Sequence, residues 1–234
     1  MLQSSTFFVE NLFREIEFMV KYNQYTKKQA ISVIVSCAKK YHDELENRSL
    51  LLVCQDKHKN IKYQEVSFYK RNFMHLTGVK VKKGKADDEI TASNFYEKCL
   101  SHSLSPSDFE VAPDGTTFMK LDVLPTLITK NISAQMIGDY NSPKPKLYTE
   151  KLAGNVKACM GFRTDDVTGN YIPDTVLNED IRSHIVNPAR VIAVFRTAPS
   201  ENDFIEITYI AKGIDLAAII FPEPYQYLKD LITQ

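Results

Sequence analysis

The sequence predicts an α+β fold, N-terminal helices followed by a helix-packed antiparallel sheet, and three observations carry that prediction. Apolar residues recur at three- and four-residue steps through most of the first 47 positions. Beyond residue 131 the chain reads as short runs of strand-forming residues divided by turns. No internal repeat, low-complexity tract or domain linker breaks the pattern, and segregated helices and strands favour α+β over alternating β-α units.

From Ser5 to about Tyr22, the residues Phe8, Leu12, Phe13, Ile16, Met19 and Val20 share one helix face. A second helix is expected from Thr26 to about Asn47, with Thr26 as N-cap and Ile31, Ile34, Val35, Ala38 and Tyr41 turned inward. Packed together, the two make an N-terminal helical hairpin over 1–48, ahead of an α+β domain over 49–234. SLLLVCQ reads as a strand, Asp56 to Asn60 as a turn, and IKYQEVSF alternates with period two, which predicts a β-hairpin. YKRNFMHLTGV is expected to form a short helix ended by Gly78, because glycine enters the left-handed conformation that closes a helix without steric cost. A basic loop follows from Lys80 to Lys85.

Further helices are expected from Ser93 to Ser101, capped by Thr91 or Ser93, and from Thr117 to Thr129, where Pro125 predicts a disruption. The later strands are ISAQMIGDY, VKACMGFR, Gly169 to Leu177 broken at Pro173, ARVIAVFRT and FIEITYIAK. NSPKPKLYTE reads as an extended connection, and Pro199 to Asn202 as the turn of a final hairpin. PEPYQYLKDLITQ predicts a short C-terminal helix.

With 234 residues, 44% of them apolar, the chain has enough hydrophobic material for a core. Lys+Arg and Asp+Glu tie at 29 each, so no global charge pulls it toward nucleic acid or anionic membrane. The charge is unevenly placed, however. Lys57 to Lys85 holds nine Lys/Arg and one acid, a local net of +8 (nine minus one), and frames FYKRNFMHLTGVK with its His75. Cations neutralise backbone phosphates and imidazole moves a proton near neutrality, so such a patch suits RNA cleavage or phosphate binding. The alternative is a solvated basic face beside a structural histidine.

Cys37, Cys54, Cys99 and Cys159 form no CxxC pair, so reduced, buried thiols are expected and no zinc site. Glu10, Arg14, Glu15 and Glu17 interrupt the N-terminal apolar residues, so that segment reads as a helix and not a signal peptide. No window approaches the roughly 18 apolar residues of a membrane span. The expectation is a soluble cytoplasmic protein with no membrane partner.

Phosphate-binding glycine loops, the GxSxG elbow and the HExxH helix are all missing from the sequence. What remains is a scatter of His, Lys, Arg, Tyr and Thr, the set used by metal-independent ribonucleases. Cleavage through the 2′-hydroxyl needs a base for that hydroxyl, an acid for the leaving 5′-oxygen and a cation for the charged transition state. His75 is the leading candidate, and His184, flanked by Arg182 and Arg190, is the second. His42, His58 and His102 fall at predicted helix ends or loops.

The hairpin ending in FYKRNFMHLTGV, the helix FYEKCL, the segment DGTTFMKLDVLPTLI and the closing ITYIAKGID together resemble the phage-associated members of the barnase/EndoU/colicin/RelE-like (BECR) nuclease superfamily, most closely its fourth phage group. The resemblance covers roughly Leu50 to Phe221, and its most specific piece is Phe73, His75, Leu76 and Gly78. It implies a helix packed on an antiparallel sheet, ribonuclease activity, and a role as toxin or effector in phages and mobile elements. By that resemblance His75 is an active-site residue, with Arg196, Thr197, Tyr209 and Lys212 lining the same cleft.

The leading expectation is therefore a metal-independent endoribonuclease without a cofactor. In it His75 is general base or acid, Lys70, Arg71, Lys80 and Lys82 contact phosphates, and Arg196 or Lys212 is the transition-state cation. This requires His75 and at least two of Arg163, Arg196, Tyr209 and Lys212 to open into one solvent-filled groove. A competing expectation is a non-catalytic phage or mobile-element module that binds a protein partner or a second copy, since Phe7, Phe18 and Tyr25 fall outside the simplest inward stripe. A third is a small-molecule or nucleotide-binding module with Tyr209 and Phe195 as stacking surfaces, against which a plain strand-core role for both weighs more heavily.

Overall fold

The computed structural model describes residues 25–81 and 90–233. The helix expected over Ser5 to Tyr22 lies outside them, as does the basic loop beyond Val81 with its Lys82.

The first described helix, α1 (Lys27–Glu44), begins where the capping residues place it: the Thr26 side chain accepts from the Gln29 amide while the Gln29 side chain reaches back to the Thr26 amide. It buries Ala30, Ile34, Cys37, Ala38 and Tyr41, whereas Ile31 and Val35 stay half-buried at its flank. The hairpin follows as predicted, β1 (Arg48–Gln55) pairing antiparallel with β2 (Ile61–Phe68). A 3-10 turn over Lys70–Asn72 leads into the short α2 (Phe73–Thr77), which Gly78 ends at φ 70° in the left-handed region. The two-residue β3 (Lys80–Val81) pairs with β4 (Phe109–Glu110).

Between them α3 (Ala92–Leu100) is capped by the Thr91 hydroxyl. The next helix, α4 (Thr116–Leu127), runs through Pro125, a correction to the predicted disruption. The proline sits in the last turn, where little helix remains to be broken, and its carbonyl accepts a hydrogen bond from Lys40 Nζ at 2.8 Å.

The remaining strands are β5 (Met136–Tyr140), β6 (Lys151–Gly154), β7 (Cys159–Thr164), β8 (Tyr171–Leu177), β9 (Ile185–Thr197) and β10 (Phe204–Ile210), followed by α5 (Leu228–Ile232). Their order, β1-β2-β8-β7-β6-β5-β9-β10 with an added β1–β9 pairing, corrects the expected simple sheet. Seven strands close into a barrel and β10 extends it from β9. The 13-residue β9 makes closure possible, since Arg190 faces both Gln55 and Met136 and Val194 faces both Leu52 and Tyr209. Pairing is antiparallel except at β2 and β8, which meet at one parallel bridge, Val66 opposite Tyr171.

Alternate residues of the strands feed different cores. Leu50, Leu52, Val66, Phe68, Met160 and Phe162 join the helices in the main core. Leu51, Val53, Ile192 and Phe195 pack beneath the C-terminal segment with Phe221 and Leu228. An aromatic cluster fixes the helices: Tyr41 lies 5.4 Å from Phe73 and 5.8 Å from Tyr96, and Phe73 lies 5.2 Å from Tyr96. The Tyr41 hydroxyl also donates to the Tyr69 carbonyl at 3.0 Å, so α1 holds the turn just before α2. All four cysteines are buried free thiols, with values pushed up to about 12 by burial. No helix among the described residues is long and apolar enough to cross a membrane.

Candidate active site

Helix periodicity decides how α2 presents His75. Phe73 and Leu76 turn into the core, and the intervening His75 is left exposed. Its imidazole has no hydrogen-bond partner among the described residues and opens into a recess of about 540 Å³. Arg163, Glu150, Asp174 and Tyr148 also line that recess.

Two ties from α4 hold α2 and its Gly78 cap in place. Thr117 Oγ1 donates to the Gly78 carbonyl at 2.7 Å, and it accepts from the Ala112 amide at 2.8 Å. Lys120 Nζ donates to the His75 carbonyl at 2.9 Å. The close fit needs glycine at 78, where a Cβ would come within 2.8 Å of Lys120 Cδ.

On the facing strands, β7 and β8 slip register between Gly161 and Phe162: Gly161 faces Thr175 and Phe162 faces Pro173. Asp174 is thus the extra residue of a β-bulge, the kind of irregularity that re-aims a side chain. Proline is tolerated there because a bulge leaves ladder positions unpaired. Thr149 Oγ1 donates to Asp174 Oδ1 at 2.8 Å, and Arg163 has no ion pair or side-chain hydrogen bond among the described residues. A free guanidinium in a recess is available to an anion.

The electrostatics of the group are mutually perturbing. Water reaches His75, yet the recess crowds it, so desolvation lowers its pKa first, the charges of Lys120 and Arg163 lower it further, and Asp174 opposes them. Lys120, only 8% exposed, is lowered to about 8 by burial, against the pull of Asp174 and Asp114. Burial raises Asp174 above the usual carboxylate range, against the Thr149 hydrogen bond and the positive charges around it. A histidine pushed down and a carboxyl pushed up in one recess are an acid–base pair in the making.

Of the residues singled out from the sequence, His75 and Arg163 line this recess, and Arg196, Tyr209 and Lys212 do not. Arg196 is 6% exposed and engaged by Glu44 at 3.0 Å and by Glu206, so its charge is internally neutralised. Tyr209 is half-buried on β10 opposite Val194, and Lys212 is exposed just beyond that strand, its carbonyl accepting from Arg190. Lys70 pairs with Glu97 at 3.0 Å, and Arg71 pairs with Asp165 at 2.9 Å while lying over the Tyr69 ring. Lys80 is exposed on β3. His184 is buried, its Nε2 2.7 Å from Glu179 Oε2.

Lys120 and Asp174 complete the group, and neither stands out in the sequence as a site residue. Lys120 had a readable signal: it falls on the buried stripe of Thr117, Leu121, Leu124 and Leu127, where a charge is out of place. A second recess of about 420 Å³ is lined by Cys54, Asp56, His58, Lys62, Asp139 and Lys151. Its acids are already matched by its lysines, Lys151 to Asp139 at 2.7 Å and Lys62 to Asp56 at 3.7 Å. The His75 recess, by contrast, keeps the Arg163 guanidinium unpaired among the described residues. Among the described residues, no cluster of three or more His, Cys, Asp or Glu is arranged to hold a metal.

The protein is a mixed α+β barrel whose recess gathers an imidazole, the carboxyls of Glu150, Asp166 and Asp174, and a guanidinium unpaired among the described residues. The chain belongs to the phage-Barnase-EndoU-ColicinE5/D-RelE like nuclease 4 family, whose model matches residues 33–213. That match begins inside α1, earlier than the resemblance read from Leu50, and spans α2, α4 and all ten strands. No curated protein and no solved structure matches the chain.

Proposed function

We propose that the protein is a metal-independent endoribonuclease that cleaves RNA by transesterification through the ribose 2′-hydroxyl. The reading rests on one observation: His75, Arg163 and Asp174 line a single solvent-open recess, with no partner among the described residues occupying the imidazole or the guanidinium. With its pKa lowered, the His75 ring is neutral at pH 7 and accepts the 2′-hydroxyl proton. The 2′-oxygen then bonds to phosphorus and the bond from phosphorus to the 5′-oxygen breaks. Asp174, whose raised pKa favours the protonated form, gives its proton to the leaving oxygen. The products are a 2′,3′-cyclic phosphate and a 5′-hydroxyl, with the proton count balanced.

Arg163 donates to the non-bridging oxygens as negative charge accumulates on them. Lys120 acts through His75, as a positioning residue: it fixes the backbone at that position and its charge disfavours the imidazolium. Arg163 takes the cationic role in place of Arg196, whose guanidinium is occupied by two carboxylates.

The test is incubation of purified protein with single-stranded RNA in EDTA, followed by analysis of the new ends. His75→Ala should lower the rate by about 10²- to 10⁴-fold, the usual contribution of a positioned acid or base. Cleavage that proceeds unchanged in His75→Ala, or that leaves 5′-phosphate ends, refutes the mechanism.

A further inference from the structure

One large aromatic side chain beside the recess is left in water. Tyr148 is 94% exposed, lines the same recess as His75, and makes no hydrogen bond or ring contact among the described residues. Single exposed apolar residues are ordinary on protein surfaces. What sets Tyr148 apart is that the residues following it, Thr149 and Glu150, are anchored on the site side while its ring is free.

Its neighbour Thr149 is buried and bonded to Asp174. Glu150 donates its amide to the Phe162 carbonyl, and its carboxylate accepts from both the amide and the hydroxyl of Thr164 at 2.9 and 3.0 Å. The tyrosine is thus carried beside the carboxyl assigned the proton-donor role, on a chain anchored to β7 and β8, with Pro143 and Pro145 stiffening the approach.

The geometry points to Tyr148 as a base-stacking platform that selects single-stranded RNA, holding the face of a base next to the scissile phosphate. This inference rests on the ribonuclease reading of the same recess. The argument is one of surface matching: a phosphodiester on Arg163 with its ribose at His75 carries a base beyond the sugar, and every base offers a flat π-face. An exposed phenol ring gains from covering that face whatever the base identity. A base paired and stacked within a duplex cannot turn that face to a side chain, so the platform disfavours double-stranded substrate.

The experiment uses the full chain and two readouts. First, an oligoribonucleotide with 2′-O-methyl at every ribose, which cannot react, carries 2-aminopurine as the reporter base, and its fluorescence quenching on binding is titrated. Second, steady-state cleavage of the matching unmodified single strand and of its duplex is measured. Tyr148→Ala should abolish the quenching and raise KM for the single strand by about tenfold to a hundredfold, with a smaller change in kcat, in line with base–aromatic stacking. Tyr148→Phe should retain both.

Quenching unaltered in Tyr148→Ala overturns the platform, as does rescue by Tyr148→Leu, which replaces the ring with aliphatic bulk. If no RNA is cleaved but the reporter is quenched only when residue 148 is aromatic, the platform stands and the nuclease reading falls. If RNA is cleaved and no variant at 148 changes KM, the nuclease reading stands and the platform falls.

Discussion

Replacing Lys120 with methionine should stabilise the protein while impairing the site. In the native state Lys120 is buried and its pKa drops from 10.5 to about 8, which corresponds to about 3 kcal/mol of unfavourable burial when the ammonium is charged. Methionine has similar length and no charge, so it removes that cost. It also removes the hydrogen bond to the His75 carbonyl, worth about 1 kcal/mol. The net is about 2 kcal/mol in favour of the variant at pH 7, or roughly 4–8 °C in Tm for a chain of this size.

The gain has a defined pH window. Below pH 8 the lysine is charged in both states and the native protein bears the whole penalty. Between about 8 and 10.5 the native lysine releases its proton before the unfolded one does, so the wild type recovers and the gap closes. The buried thiols titrate alike in both proteins and cancel in the difference. Urea denaturation of the two proteins at several pH values measures the gap. A Lys120→Met protein less stable than wild type at pH 7, or a gap that does not shrink with rising pH, refutes the account of Lys120 as a desolvated charge kept for the site.

The pH–rate profile of RNA cleavage should be a bell on the acid side of neutrality. Activity is lost as pH falls through the lowered His75 value, because the base becomes protonated, and lost as pH rises through the raised Asp174 value, because the acid loses its proton. Initial rates on a fluorogenic oligonucleotide define both limbs, and a rate still climbing at about pH 8 contradicts the assignment. Gly161→Ala should cost about 1–3 kcal/mol by overpacking, since the new Cβ would lie 2.6 Å from Thr175 Cγ2 and 2.7 Å from Thr149 Oγ1. Displacing that hydroxyl from Asp174 removes a hydrogen bond that favours the carboxylate, so the alkaline limb should move to higher pH. A limb that stays put while stability falls shows that Thr149 does not tune Asp174.

The elements most readable in the sequence are those with strong local signals. Thr26 and Thr91 cap their helices, Gly78 closes α2, and the period-two run IKYQEVSF is β2 over the same residues. Local patterns carry no information about closure. The barrel depends on β9 pairing along both edges, a property of register between distant segments. The four-residue β6 offers too short an alternation to read as a strand, and no element is expected over it.

The site divides in the same way. His75 was conspicuous as an imidazole in a basic run, but charge clustering in sequence did not predict which cations face it. Lys70 and Arg71 are neutralised by Glu97 and Asp165 from elsewhere in the chain. Arg163 and Asp174 come from strands whose pairing and bulge bring them to the histidine.

The single bridge from Val66 to Tyr171 divides the recess between two banks of the barrel. His75 follows directly from β2 on one bank, and Asp174 belongs to β8 on the other. Beside that bridge the banks are clasped by Arg71 on Asp165 and by Asn170 donating to Ser67 at 3.3 Å. The proposed proton donor and acceptor are therefore registered across the thinnest join in the cylinder, and any loosening of that join parts the two side chains while leaving the rest of the wall intact.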